Sequence, residues 1–245
     1  PPPPPPHPPN PPPPPPHTHP LSLHDALPIF MFRGTLENAV TPELLDEVFA
    51  TTAKRQRPSE LLFSALVDLL GLVVTRSRKS VNEAYRVKKE QLTVSVTAVY
   101  DKLQGVETEV SRQMVRQSAS RMARAADRLG ANRRSLLPGY RVKIIDGNHL
   151  AATEHRIQEL RTIGSGPLPG QALVVLEPRR MLMTDVFPCE DGHAQERSLL
   201  PQVLSTVQAN DLWIADRNFC TTDFMFGIAA RRATFIIRQH RQTLR

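Results

Sequence analysis

The pattern of apolar residues changes at Tyr140, and the part that follows constrains the fold more than any other feature of the chain. Short apolar runs typical of buried strands then alternate with stretches of helical periodicity. The predicted order is strand, strand, strand, helix, strand, helix, strand. Three strands without intervening helices, followed by alternating helices and strands, indicate a mixed sheet with helices packed on it. The sequence therefore predicts an α/β domain over residues 139–245.

The predicted strands and helices of this domain have definite bounds. Strands are expected over 141–146, 172–176, 181–187, 211–216 and 233–239. Helices are expected over 195–207 and 221–232, with Thr221 as the capping residue of the second. Each helix has apolar residues on one face, as a helix that covers a sheet requires.

Residues 40–138 are predicted to form an all-helical domain ahead of the sheet. Thr41, Pro42 and Glu43 are typical of a helix start, with a capping hydroxyl, proline at the first position and an acid in the first turn. Further helices are expected after Pro58, over 81–91 and over 106–129. Residues 92–103 resemble the second half of a helix-turn-helix, whose second helix meets base edges, although such patterns also arise by chance in helical domains.

The chain is basic, with a formal net charge of +7, and the excess of Lys and Arg falls within residues 76–143. A basic block of this kind favours a polyanionic partner, because neutralised phosphates release their counterions. Arginines are expected to line one side of the predicted helix 106–129, where they could follow a phosphate backbone. They are Arg112, Arg116, Arg121, Arg124 and Arg128. The alternative is a solvated helix face.

The first residues do not resemble sequence selected to fold. Pro1 to Pro16 is almost pure proline, a composition that forms polyproline II without a core. Residues 21–29 resemble the translation of a sequencing adapter. We therefore interpret residues 1–29 as a non-native tail and exclude them from the fold prediction. The competing interpretation is a proline-rich ligand of SH3 or WW domains.

Cysteine usage and hydropathy favour the cytoplasm. The two cysteines form neither a disulfide framework nor a zinc-ligand spacing. The longest apolar run, over 61–74, is too short to span a bilayer and contains Asp68. No membrane partner is expected.

Two predicted strands end in an aspartate, and these residues carry the predicted chemistry. Asp146 closes the first strand and Asp216 the fourth, and each is followed by a turn. If these strands are neighbours, the two carboxylates lie side by side and repel each other unless a cation lies between them. Mg²⁺ prefers such oxygen ligands and can activate an attacking oxygen in phosphoryl transfer. The alternative is that each aspartate is an ordinary turn or cap residue.

Residues 144–148 (IIDGN) and 213–219 (WIADRNF) resemble the first two acidic motifs of bacterial insertion-sequence DDE transposases, of the insertion-sequence-four type. The resemblance covers about residues 40–245. It implies a ribonuclease-H-like catalytic domain in which Asp146 and Asp216 are catalytic and bind Mg²⁺ or Mn²⁺. It also implies that the helical domain binds double-stranded DNA, at the terminal inverted repeats and the target. A homodimer in the synaptic complex and an association with the nucleoid are further expectations.

The third acidic residue of this family, a glutamate within a Tyr…Arg…Glu…Lys signature, is not found. We expect it beyond residue 245, which makes the catalytic domain incomplete and predicts that the chain as given is inactive. Asp185 and Asp191 lie near the third predicted strand, and that position argues against either as the missing acid.

Weaker candidates and two other functions remain open. Arg217 and Asn218 could contact a DNA phosphate or orient Asp216. His149 and His193 are expected to be packing or surface residues. The alternative functions are a metal-dependent nuclease of the same fold and a non-catalytic DNA-binding protein.

Overall fold

A computed structural model of the chain describes residues 37–56, 60–149, 171–189 and 195–239, with the backbone alone at 148 and 149. Residues Thr35–Arg245 form one compact unit. The predicted non-native tail 1–29 and the predicted helix start at Pro58 lie outside the described residues, as do Asp191 and His193. No helix in the described ranges is long and apolar enough to cross a membrane.

The first part of the compact unit is helical. Its helices are α1 (Pro42–Thr52), α2 (Phe63–Val74), α3 (Val81–Lys88), α4 (Val96–Gly105) and α5 (Thr108–Arg128), with a 3-10 turn at Lys89–Gln91 after α3. The predicted start of α1 is confirmed, because the Leu44 N–H donates to the Thr41 hydroxyl at 3.3 Å. These helices enclose a hydrophobic cluster that includes Phe49, Leu66 and Val99.

The start of α2 depends on a residue from another helix. Leu62, the residue before α2, has no side chain that can cap a helix. Instead Asp46 of α1 accepts from the Ser64 N–H at 2.9 Å and from the Ser64 hydroxyl at 2.7 Å. A carboxylate at this position satisfies donors that the helix itself cannot pair. The helix expected after Pro58 has therefore not begun at residues 60–62; α2 starts only at Phe63, where contacts with α1 determine its first turn.

The second part of the unit is an α/β arrangement, as predicted. Its strands are β1 (Arg141–His149), β2 (Gln171–Glu177), β3 (Leu182–Cys189), β4 (Asp211–Ala215) and β5 (Thr234–Ile237), and its helices are α6 (Leu200–Leu204) and α7 (Thr222–Ala230). Within the described residues the strands form one five-stranded mixed sheet in the order β3-β2-β1-β4-β5. Strands β1 and β4 are parallel, as are β4 and β5, whereas β2 is antiparallel to both β1 and β3.

Strand β1 is longer than predicted, and the difference concerns the first aspartate. The strand was expected to end at Asp146, but it continues to His149. Residues 146–149 remain extended because they pair with β2, from Asp146 opposite Val174 to His149 opposite Gln171. Asp146 therefore does not terminate β1. It lies just beyond the part of β1 that pairs with β4.

The predicted helix over 195–207 is also wrong in its extent. The chain forms a 3-10 helix at Glu196–Leu199 and then the short helix α6. Pro201 explains the division, because proline has no N–H to donate and is tolerated only in the first turn of a helix. Pro201 occupies that first turn in α6. Its neighbours Leu199, Leu200 and Val203 are buried against the sheet.

Helix α5 is fixed to the β2–β3 hairpin by a pair of ionic contacts. Near its start, Nε and Nη2 of Arg112 donate to the two carboxylate oxygens of Asp185 in β3 at 3.0 and 3.1 Å. Near its end, Asp127 accepts from the guanidinium of Arg180, in the turn before β3, at 2.9 Å. The two contacts set the position of α5 along the sheet.

The contact of Asp127 with Arg180 leads to a prediction about pH. The Asn132 amide and then the Arg180 guanidinium hold the pKa of Asp127 below its usual value of 3.8. A carboxyl group whose pKa is lowered by folding stabilises the protein above its unfolded pKa, and this contribution is lost as the pH falls through the folded pKa. We expect Asp127→Asn to lower the urea midpoint at pH 7, and the difference from the wild type to shrink progressively as the pH falls below 3.8 and through the folded pKa. A difference that stays constant as the pH is lowered would contradict this role.

Candidate active site at the carboxyl ends of β1 and β4

The two aspartates singled out by the sequence lie at the same level of neighbouring parallel strands. The last register pair between β1 and β4 is Ile144 with Ile214. Asp146 and Asp216 each follow that pair by two residues. Neighbouring strands are separated by about 4.8 Å. The structure therefore meets the condition on which the predicted carboxylate pair depends, that the first and fourth strands are neighbours.

A buried ion pair at the other end of the same strands fixes this register. Asp211, the first residue of β4, is fully buried, and its carboxylate accepts from Nε of Arg141 at 2.9 Å. Nζ of Lys143 lies 3.1 Å from its second oxygen. A slip of one residue would separate these charges inside the protein, at a cost of several kcal/mol. The pairing at Asp211 thus determines which residues stand opposite each other at the carboxyl ends.

Both aspartates point away from the hydrophobic core. Their neighbours Ile145 and Ala215 are buried in the cluster between the sheet and helices α6 and α7. Successive side chains in a strand point to opposite faces, and Asp146 and Asp216 are both exposed. Solvent and a large ligand can therefore reach the two carboxylates.

Each aspartate accepts one local hydrogen bond. The Gly147 N–H donates to Oδ1 of Asp146 at 2.9 Å, and the Asn218 N–H donates to Oδ1 of Asp216 at 2.8 Å. These bonds fit the simpler interpretation of turn and cap residues. They also fix one oxygen of each carboxylate. Among the described residues neither aspartate is part of an ion pair, so neither carboxylate is neutralised by a protein cation there.

The position in the sheet is one where ligands bind in many α/β proteins. From β1 the chain continues to β2 and β3 on one side, and it returns to β4 and β5 on the other. In open sheets of this kind, ligands commonly bind outside the carboxyl ends of strands where such connections diverge. Asp146 in β1 and Asp216 directly after β4 lie at that point of the sheet.

The donor set suits a hard cation. Mg²⁺ is bound through one or two carboxylates and retains several waters, so an exposed pair of carboxylates fits it. The described residues contain no group of three or more His, Cys, Asp and Glu side chains arranged to bind a metal ion. The described part of the chain thus provides two carboxylates rather than a full set of protein ligands.

A glutamate that the sequence did not single out lies beside this pair. Oε2 of Glu196 accepts from Nδ2 of Asn218 at 2.5 Å. The same carboxylate lies so close to Gly147 that a Cβ atom there would be 1.9 Å from Oε1. Glu196 therefore contacts the residue after Asp146 and a residue of the turn after β4. Its position in a predicted helix gave no sign of this, because the contact joins segments far apart in the sequence.

The arginines of α5 do not share one face, contrary to the prediction. Arg112 packs on the sheet, where its side chain is 12% exposed, and its guanidinium lies 4.2 Å from the centroid of the Phe187 ring. Arg121 is about half a turn away around the helix, and its Nη1 donates to the Thr41 hydroxyl at 3.3 Å. Neither side chain faces open solvent. Arg112 in particular is engaged in holding α5 to β3.

The other predicted basic residues are exposed. Arg116, Arg124 and Arg128 present their side chains to solvent on α5, and Arg217 is exposed directly after Asp216. Arg116 also lies 4.0 Å from Asp185 at the edge of the buried ion pair. Three arginines on α5 and one beside Asp216 are therefore accessible to a polyanion.

The predicted second helix of the helix-turn-helix pattern is present as α4. The Ala98 N–H donates to the Ser95 hydroxyl at 3.2 Å, which caps the helix. Val99 is fully buried and Leu103 packs against the same cluster, as the pattern predicts. Thr97 and Tyr100 are exposed on the other side. The contact of this face with bases stays a prediction.

The structure describes only some of the remaining candidate residues. Asp185 is buried and paired with Arg112, so it is not available as a third acid. Asp191 and His193, and the side chain of His149, lie outside the described residues. No protein-family model matches the chain, and a comparison with curated proteins finds no match.

Proposed function

We propose that this protein is a DDE transposase of the insertion-sequence-four type, which cuts DNA strands and joins them to a target. The observation that carries the proposal is the alignment of Asp146 and Asp216 on adjacent parallel strands, beyond the last pair Ile144 with Ile214. The exposure of both carboxylates and the absence of a protein cation between them in the described residues support it further.

The topology supports a ribonuclease-H-like catalytic domain. Within the described residues the strand order is β3-β2-β1-β4-β5, and β2 alone runs against the others. Helices α6 and α7 follow β3 and β4 in the chain. This order has the three leading strands and the later alternation that the resemblance implies. The helices α1–α5 form the DNA-binding part of the proposed enzyme.

In the proposed reaction, the carboxylates of Asp146 and Asp216 would hold the divalent cation. Mg²⁺ or Mn²⁺ bound there would supply Lewis-acid activation of an attacking oxygen and charge stabilisation of a leaving one. The chain itself orients the carboxylates, through the Gly147 and Asn218 N–H groups. Water attacks in the cutting step, and the freed 3′-hydroxyl attacks in the joining step. No covalent protein–DNA intermediate is needed.

Double-stranded DNA is the proposed partner, at the ends of the element and at the target. The exposed cations Arg116, Arg124, Arg128 and Arg217 contact phosphates, which gives affinity and position but no sequence preference. Pairing of two element ends requires two active sites, and a homodimer in that complex provides them. The proposed location is the cytoplasm, in association with the nucleoid.

The DNA-binding surface on α5 leads to a prediction about salt dependence. Arg116→Ala, Arg124→Ala and Arg128→Ala should each weaken duplex binding and reduce the slope of log K against log salt by about 1. The triple variant should lose about 3 in slope, since each neutralised phosphate contributes about 0.9. Fluorescence anisotropy with a labelled duplex measures both quantities. Arg231→Ala, an exposed arginine at the end of α7, is the matched control, and equal slopes in all variants would exclude this surface.

A strand-transfer assay tests the function itself. The resemblance implies a third acid, a glutamate in a later motif, so the assay uses protein that carries such a glutamate. We expect joined product from donor DNA with a free 3′-hydroxyl and none from DNA with a blocked 3′ end. Cleavage without joining would indicate the metal-dependent nuclease instead.

The non-catalytic alternative makes a different prediction for the same assay. If the sheet is only a scaffold, Asp146→Ala and Asp216→Ala leave every measurable activity unchanged. We expect both variants to bind the duplex as the wild type does and to give no cleaved or joined DNA.

A further inference from the structure

The 3-10 helix at Glu196–Leu199 connects the two aspartate-bearing segments. Leu199 anchors it in the core between the sheet and helices α6 and α7. Two neighbouring side chains at its start, Glu196 and Arg197, bind the same residue, Asn218. Oε2 of Glu196 accepts from Nδ2 of Asn218 at 2.5 Å, and Nε of Arg197 donates to its carbonyl oxygen at 2.6 Å. Asn218 is therefore held by its side chain and its backbone together.

Asn218 in turn holds the second aspartate. Its N–H donates to Oδ1 of Asp216 at 2.8 Å, at the start of the short 3-10 helix Arg217–Phe219. The rotation of the Asp216 carboxylate thus depends on where Asn218 lies. Because Glu196 and Arg197 determine that position, the orientation of Asp216 depends on a residue 20 positions away in the chain.

The same glutamate touches the first aspartate's neighbour. A Cβ atom at Gly147 would be 1.9 Å from Oε1 and 2.4 Å from Cδ of Glu196. Glycine at 147 permits this approach, and any other residue would push the Glu196 carboxylate away. Glu196 therefore contacts both sides of the site, Gly147 after Asp146 and Asn218 after Asp216.

We propose that Glu196 is a positioning residue of the carboxylate pair: through Asn218 it orients Asp216 for cation binding beside Asp146. This inference rests on the proposed function, because it assigns Glu196 a role toward the cation that the two aspartates are proposed to bind. Partners that orient a ligand from outside the first shell commonly change metal affinity by about 10–100-fold. The hydrogen bond to Asn218, rather than the charge of Glu196, is what the role requires.

Mn²⁺ binding to the 245-residue chain tests this, with free Mn²⁺ followed by electron paramagnetic resonance. We expect Glu196→Ala to lower the affinity about tenfold, within the range for an outer-shell partner. Glu196→Gln keeps an oxygen that accepts from Asn218 and should retain close to wild-type affinity. An equal loss in Glu196→Gln and Glu196→Ala would overturn the proposal, since charge and not the hydrogen bond would then matter.

Two further variants test the path through Asn218 and Gly147. Gly147→Ala should displace the Glu196 carboxylate and lower the affinity as Glu196→Ala does. Asn218→Ala combined with Glu196→Ala should lose no more affinity than Asn218→Ala alone, because both act on Asp216 by one route. Fully additive losses would show that Glu196 does not act on Asp216 through Asn218.

The outcomes separate this inference from the proposed function. If Asp146→Asn and Asp216→Asn abolish Mn²⁺ binding while Glu196→Ala binds normally, the positioning role fails and the proposed function stands. If neither aspartate variant changes Mn²⁺ binding, the proposed function fails and the positioning role fails with it. Thermal unfolding of each variant, compared with the wild type, identifies any loss of affinity that comes from loss of the fold.

Discussion

Replacing Asp146 or Asp216 by asparagine is expected to lower the affinity of the chain for Mn²⁺ by at least about tenfold, and the double replacement is expected to abolish it. Loss of even an outer-shell partner costs about 10–100-fold in metal affinity, and a ligating carboxylate contributes charge as well as geometry. Both residues are exposed and take part in no ion pair among the described residues, so asparagine should leave the fold intact.

Titration with Mn²⁺ measures this effect directly, and urea unfolding without metal shows whether each variant keeps its fold. Asp101→Asn, which removes an exposed carboxylate from α4, is the matched control and should bind Mn²⁺ as the wild type does. Wild-type affinity in the Asp146 and Asp216 variants would show that these residues are turn and cap residues only. Chelation of the metal should return the wild type to the stability of the metal-free protein.

Replacing Arg112 by alanine is expected to destabilise the protein by about 3 kcal/mol, because the buried Asp185 carboxylate loses both of its hydrogen bonds from a side chain and keeps only Arg116, at 4.0 Å, as an ionic partner. The side chains are 12% and 10% exposed, and they share two hydrogen bonds. The Phe187 ring would lose its stacked guanidinium as well. Urea unfolding at neutral pH gives the change in the free energy of unfolding.

The apolar double variant Arg112→Met with Asp185→Leu is the informative control. Replacement of both members of a buried ion pair by apolar residues is often neutral, so the double variant should recover most of the lost stability. Arg116→Ala, on the exposed side of the same helix, should change DNA binding and leave stability nearly unchanged. If Arg112→Ala instead kept full stability and lost DNA affinity, Arg112 would be a DNA contact, as its spacing in the sequence suggested.

Much of the fold could be predicted because local signals and tertiary structure agree. The start of α1 follows from Thr41 and Pro42 alone, and apolar runs identified every strand of the sheet. The predicted bounds of elements were wrong where contacts with residues distant in the chain determine them. Strand β1 passes Asp146 because β2 pairs with it, and α2 begins beside Asp46 of another helix. The division of the helix predicted over 195–207 is different, because the effect of Pro201 could have been predicted from the sequence.

Of the candidate site, only the two aspartates Asp146 and Asp216 could be predicted from the sequence. Their adjacency needed the strand order, in which β4 lies beside β1. The spacing of arginines along the helix could not show that Arg112 turns inward. Its orientation is determined by Asp185 in β3, which pairs with it only in the folded protein. Glu196 had no signal at all, since Gly147 and Asn218 become its neighbours only after the sheet has formed.

Iron-directed cleavage of the protein backbone shows whether a divalent cation binds between Asp146 and Asp216. Fe²⁺ that occupies the site of the divalent cation generates hydroxyl radicals with ascorbate and peroxide, and the radicals cut the chain beside the bound ion. We expect cuts near Asp146 and near Asp216 in the wild type. Excess Mg²⁺ should suppress these cuts, and the variants Asp146→Asn and Asp216→Asn should lack them. Cuts at other positions only, or cuts at the same positions in both variants, would contradict this expectation.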